Sequence, residues 1–160
     1  QFTGQSEIEG QGEIEVPIFK DIISNKYITV PVLAWFIAQI LKVINVIIKD
    51  KKMDFTRLIG SGGMPSSHSA FVVALAIVTG KNHGFYSAEF GITSALAIIV
   101  MYDAAGVRRA AGKQAEVLNM IIYSSDNINI DEKLKELLGH TPFEVLMGAL
   151  LGALLGAFLG

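Results

Sequence analysis

Cysteine is absent from the 160 residues, which excludes disulfides, thiolate metal sites and cysteine nucleophiles. Charge is scarce too: 18% of the residues are charged, against roughly a quarter in ordinary soluble domains. The net charge of −2 supplies no basic field, so no nucleic-acid partner is expected. Gln1 to Glu15 is polar and acidic with no basic region, so no secretory signal is expected. Gly60-Ser61-Gly62-Gly63 lacks the Gly-Lys-Ser/Thr ending of a nucleotide-binding loop. The three histidines are not closely spaced, which argues against a dedicated metal site. There is no internal repeat.

What is present is apolar. Hydrophobic residues make up 51% of the chain, and the mean hydropathy is +0.48. The charges cluster and leave long uncharged stretches between them. Tyr27 to Ile48 is interrupted only by Gln39, Lys42 and Asn45, and at 1.5 Å per residue it reaches across a hydrocarbon layer of roughly 30 Å. Pro31 falls in its first turns, where proline is tolerated. A second segment opens at Pro65 and runs to Val78, before a turn cluster from Gly80 to Gly84. A third covers about Phe90 to Tyr102, and a fourth runs from Pro142 with no charge after Glu144. The middle two are short for a span unless Pro65–Ala70 and Ala104–Val107 are also helical. A buried helix of a soluble protein is the alternative, but the fourth segment is hard to keep in water.

The expected fold is therefore all-α: an integral membrane bundle of about four transmembrane helices. An amphipathic helix carrying Val107, Ala111, Val117, Leu118, Ile121 and Ile122 is expected at the cytoplasmic membrane surface. Ser124–Asp131 reads as a loop and Glu132–Leu138 as a short helix stopped by Gly139. In the fourth segment Gly148, Gly152, Gly156 and Gly160 recur every four residues and share one face. Such a stripe lets backbones approach closely in lipid, packing either a helix of the same chain or a second copy in a homo-oligomer. Lys49, Lys51, Lys52 and Arg57 fall in one loop, and Arg108, Arg109, Lys113, Lys133 and Lys135 in another. The bias of Lys and Arg predicts a multi-pass protein of the cell membrane with both loops cytoplasmic.

Chemistry concentrates at three segment ends that this topology gathers on the cytoplasmic face. They are Gly62-Gly63-Met64-Pro65-Ser66-Ser67-His68-Ser69, Asp103-Ala104-Ala105-Gly106-Val107-Arg108-Arg109 and His140-Thr141-Pro142-Phe143-Glu144. Two of them open helices, whose free N–H groups and partial positive charge suit an anion. Arg108 and Arg109 make a phosphate the natural guest. Two histidines beside a phosphate suggest phosphoryl transfer, one imidazole attacking phosphorus and the other protonating the leaving oxygen. Glu144, one turn from His140, has the spacing to fix its tautomer.

All of these residues but one also have a plainer explanation. Thr141-Pro142-Phe143-Glu144 reads equally as a capping box in which Glu144 serves the helix terminus. Pro65 starts a helix and Ser66 and Ser67 cap it. Arg108 and Arg109 serve topology alone, with Asp103 neutralising one of the nearby cations. Lys42 is as readily a side chain snorkelling to the interface as a phosphate contact. His68 resists such an account, because burying an unpartnered imidazole is costly. Trp35 and Tyr27 suit interfacial anchoring or packing, and His83 is an ordinary loop residue.

The run His140-Thr-Pro-Phe-Glu144 resembles the third signature, His-x-x-x-Asp, of the phosphatidic-acid phosphatase type 2 and vanadium haloperoxidase superfamily. Pro65-Ser66-Ser67-His68 resembles its second, Pro-Ser-Gly-His. With the Asp-Ala-Ala-Gly-Val-Arg-Arg string, the chain looks like that superfamily's divergent membrane branch from Ile18 to Gly160. The resemblance implies His140 as nucleophile, Glu144 as its orienting carboxylate and His68 as general acid. It implies Ser66 and Ser67 as phosphate ligands and Arg108 or Arg109 as the phosphate-binding arginine. Three features depart from the superfamily pattern. The arginine lies far upstream of His140 instead of close before it, and Glu144 is longer than aspartate. Lys51 to Arg57 is one residue short of the first signature, and Leu58 replaces its proline. Lys42 and Arg57 are the remaining candidate phosphate contacts. Residues 1–16 are expected to be disordered or a tag remnant, and 17–160 a single membrane-embedded phosphatase-like domain. The expected activity is hydrolysis of a lipid phosphate or diphosphate through a phosphohistidine, without cofactor or metal, the partner being a phosphate-bearing membrane lipid. The alternative is a non-catalytic binder or transporter of such a lipid; haloperoxidase chemistry on bound vanadate is a distant third.

Overall fold

The computed structural model describes residues 15–50, 63–124, 134 and 139–160. Six helices follow in order: α1 (Glu15–Ser24), α2 (Lys26–Asp50), α3 (Ser67–His83), α4 (Ala88–Ala105), α5 (Val107–Ser124) and α6 (Pro142–Leu159). Three stretches are long and apolar enough to cross a membrane: Lys26–Ile48, Ala88–Tyr123 and Pro142–Leu159. The middle one includes both α4 and α5. The 17-residue α3 is the hub, packed against α2, α4 and α6.

The protein is an all-α membrane helical bundle, built inside out relative to a soluble one. Its core joins Val30, Ala34 and Ala38 of α2 to Ala70, Ala74 and Val78 of α3. The bulky side chains face outward: Ile98, Leu146, Leu150 and Phe158 are all exposed, Phe158 by 81%. In water that arrangement would forgo most of the apolar burial that holds a bundle together. In lipid, close packing of small residues is the cohesive term. The glycine stripe of α6 supplies it within the chain. A Cβ added at Gly152 would lie 2.2 Å from the Ala70 carbonyl oxygen, and one at Gly148 2.2 Å from that of Ser66.

Several boundaries differ from those expected. Pro65 lies before α3, which starts at Ser67 with Ser66 as its N-cap. Gly80 is no turn residue. The helix runs on to His83, and Gly80 is small because the Phe85 ring lies 2.5 Å from where its Cβ would be. The turn falls at Gly84, with φ of +90°. His83 is accordingly helical, its ring 5.4 Å from that of Tyr27. The helix α1 begins at Glu15, inside the segment expected to be disordered. In α5 the buried positions are Gly112, Ala115 and Asn119. Asn119 exchanges two hydrogen bonds with the Leu134 backbone, and Val107, Val117, Leu118 and Ile121 stay exposed. The expected short helix at 132–138 and loop at 124–131 lie outside the described residues, apart from Leu134 and the end of α5 at Ser124.

Candidate active site

Four helix ends meet at one pole of the bundle: the starts of α3 and α6 and the final turns of α2 and α4. Backbone bonds tie them. The Ser66 N–H donates to the Glu144 carbonyl at 3.0 Å, joining the two N-termini. The His140 N–H donates to the Ala104 carbonyl at 2.9 Å. Gly139, at φ +82°, lies so close that an added Cβ would meet the Arg109 nitrogen at 2.4 Å, a fit that only glycine permits. From α2, Asn45 Nδ2 donates to the Met64 carbonyl at 2.9 Å and holds the loop before Pro65. At the far pole, Lys81 Nζ donates to the Ala157 and Gly160 carbonyls at 2.7 and 2.9 Å, closing the C-terminal end of α6.

His140 is 3% exposed. Its Nδ1 lies 3.3 Å from Glu144 Oε2, and the same oxygen accepts the Thr141 N–H at 2.9 Å. The capping box and the histidine clamp therefore coexist on one carboxylate, where the sequence offered them as alternatives. Burial, with the Lys42 ammonium next, holds the His140 imidazole below the ordinary histidine range, against the opposing pull of Glu144. A neutral imidazole beside a carboxylate donates from Nδ1, which leaves the lone pair on Nε2. That Nε2 is buried and has no hydrogen-bond partner among the described residues.

His140 lines a water-sized cavity of about 10 Å³ with His68, Val100, Asp103, Ala104 and Arg108. Both histidines thus reach one small space. His68 is exposed at the rim, contrary to the expectation that it is buried, and makes no hydrogen bond to a described residue. Arg108 spends its Nε on Asp103 Oδ2 at 2.5 Å, so its terminal nitrogens remain for an anion. Asp103 is the partner that neutralises it. Arg109 is exposed and absent from the cavity wall, which Arg108 alone of the two arginines lines. Lys42, 2% exposed, donates to Ser67 Oγ at 3.2 Å and is thus held inside the bundle rather than snorkelling. Ser66 is fully buried, and its hydroxyl accepts from both the N–H and the hydroxyl of Ser69. Arg57 lies outside the described residues. Among the described residues, no three His, Asp or Glu side chains are grouped to hold a metal ion.

Two residues of this pole carry more than their sequence setting suggests. Asn45 reads only as a break in an apolar run, and a lone amide there is the available signal. Gly139 reads as a helix stop, and its close approach to the α4–α5 corner adds a role that the sequence does not signal.

Residues 23–155 match the Divergent PAP2 family. The chain belongs to that family. A curated relative from Bacillus subtilis (strain 168), described as "Uncharacterized membrane protein YuiD", is 38% identical over 143 residues. The match covers 81% of this chain and 90% of the relative. No solved structure matches the chain. As a Divergent PAP2 protein it is related to phosphatases, and the string His140–Glu144 sits in the matched region.

Proposed function

We propose that this Divergent PAP2 protein is a membrane phosphatase acting on a lipid phosphate or diphosphate. The observation that carries the proposal is the state of His140: Nδ1 is held by Glu144, while the buried Nε2 has no partner among the described residues, and His140 shares its cavity with His68 and Arg108. Nε2 attacks phosphorus, the bond from phosphorus to the leaving oxygen breaks, and protonated His68 gives that oxygen its proton. The phosphohistidine then carries positive charge on its ring, which Glu144 stabilises. Water attacks phosphorus next and gives a proton to His68. The P–N bond breaks, inorganic phosphate leaves and the Nε2 lone pair is restored. Arg108 and the N-termini of α3 and α6 hold the phosphoryl oxygens throughout, with Lys42 acting through Ser67.

In this reading α2, α3, α4 and α6 each cross the bilayer, and the site opens to the cytoplasmic leaflet, where the basic loops are placed by charge bias. The test is phosphate release from a panel of lipid phosphates by the purified protein. His140→Ala should abolish release, and His68→Ala should slow it by roughly 10²–10⁴-fold. Full activity without His140 would refute the mechanism. The engagement of Arg108 by Asp103 favours a second reading, a non-catalytic binder of the same lipid. Retained binding with no release from any substrate would select it.

A further inference from the structure

A second cavity, of about 350 Å³, adjoins the first, and the two share His68 and Val100. Its other walls are Val32 and Trp35 of α2 and Phe71 and Val72 of α3. Among the described residues the backbones of α2 and α4 do not approach each other closely, while both lie against α3, so this space is a groove floored by α3. Its direction is fixed by register. Trp35 precedes Lys42 by two turns of α2, Phe71 and Val72 follow His68 by about one turn, and Val100 precedes Asp103. At about 1.5 Å per residue the groove descends some 10 Å from the polar pole toward the middle of the bundle. Val32 and Trp35 are 47% and 40% exposed, so its outer side opens on the lipid-facing surface.

Resting on the phosphatase reading, we infer that this groove holds a single hydrocarbon chain of the phosphate ester whose head group stands at the His68 mouth of the smaller cavity. The substrate class is then a long-chain amphiphilic phosphate that slides in sideways from the bilayer, and not a water-soluble phosphomonoester. Two observations converge on it. The groove is lined by apolar side chains apart from His68, and it meets the smaller cavity at His68 and Val100. A volume near the lower limit of small-molecule sites, roughly 300–1,000 Å³, accommodates one chain and excludes a bulky pair. Lipid tails are as apolar as the groove, so the selection arises from shape and the shared head group, not from a hydrophobic drive.

Trp35 is the chain's single tryptophan, so its fluorescence reports on the groove directly. The full chain in phosphatidylcholine nanodiscs is titrated with dodecyl phosphate brominated at mid-chain, with brominated dodecanol and brominated butyl phosphate as comparisons. Saturable quenching by dodecyl phosphate, displaced by orthovanadate and absent with butyl phosphate, supports the proposal. Val32→Phe narrows the groove from its exposed wall and should weaken dodecyl phosphate by about tenfold, a change worth one to two methylenes. Orthovanadate alone should stabilise that variant and the parent protein equally. Quenching by dodecanol that matches dodecyl phosphate, or titrations unmoved by Val32→Phe, would overturn the proposal. The readout is binding, so failure of turnover refutes the phosphatase reading while leaving the tail groove to stand or fall on its own.

Discussion

One oxygen of Glu144 serves two masters: it caps α6 through the Thr141 N–H at 2.9 Å and lies 3.3 Å from Nδ1 of His140. The local helix signal and the orientation of the proposed nucleophile are therefore a single interaction. Glutamine keeps the reach and an accepting oxygen but lacks the charge. Glu144→Gln should thus leave the melting temperature in detergent close to that of the parent while lowering phosphate release by at least an order of magnitude. Glu144→Ala should lose the release and also about 1 kcal/mol of stability, the scale of a lost cap. Equal activity in the parent and Glu144→Gln would show that the carboxylate charge has no part in the reaction.

Packing of α6 on α3 gives a second expectation. Gly152→Ala sets a methyl 2.2 Å from the Ala70 carbonyl and must push two backbones apart. It should destabilise by about 1–3 kcal/mol, the scale of overpacking. Gly91→Ala, with nothing within 4 Å of the new methyl, should be neutral or stabilising by up to about 1 kcal/mol. Thermal unfolding of the two variants side by side checks this, and similar losses in both would contradict the close approach.

Acid should loosen the site. The unfolded chain protonates His140 near the ordinary value of 6.5, whereas the folded chain does so only at lower pH because of burial and Lys42. Between those two values the unfolded state binds more protons, so stability is full above about pH 6.5 and is lost as the pH falls through the window below it. The melting temperature should decline from about pH 7 to 5, and His140→Gln should flatten part of that decline. An identical slope in the variant would assign the effect to other groups.

An oxyanion gives a probe independent of turnover. Vanadate should raise the melting temperature with concentration by mass action. Arg108→Gln should weaken the rise. Lys81→Met, at the opposite pole on the Ala157 carbonyl, should leave it intact while lowering the baseline stability slightly. A rise indifferent to Arg108 would remove that residue from the site.

Orientation is open to chemical labelling. Single cysteines introduced at Lys52 and Lys135 should be protected from an impermeant thiol reagent in intact cells and react after permeabilisation. Labelling of both from outside would invert the proposed topology.

The parts of this architecture written in local or one-dimensional patterns were legible in advance. Tyr27–Ile48 maps onto α2 because hydropathy over a span is a property of the segment alone. The cap at Thr141 is equally local, resting on residues three apart. Other features depend on what lies across the bundle. Gly80 looks like a turn until the ring of Phe85 is placed against it. The choice of Arg108 over Arg109 requires the corner at Gly106, where the N–H bonds Tyr102 O and α4 gives way to α5. The two cavities were invisible in the sequence, since their walls come from separate helices. His68 was singled out because a buried imidazole would need explaining, yet it stands exposed at the mouth of both.

The bond from His140 to Ala104, with Gly139 seated on the Arg108–Arg109 backbone, means that the chain departs from and returns to the same doorstep. The residues between form an excursion whose two ends are pinned together, like a loop of cord tied at its base. Closing such a loop grows dearer only logarithmically, by about 0.6 kcal/mol for each doubling of its length. The wide gap between arginine and histidine along the chain is therefore no separation in space, for Arg108 and His140 line one cavity.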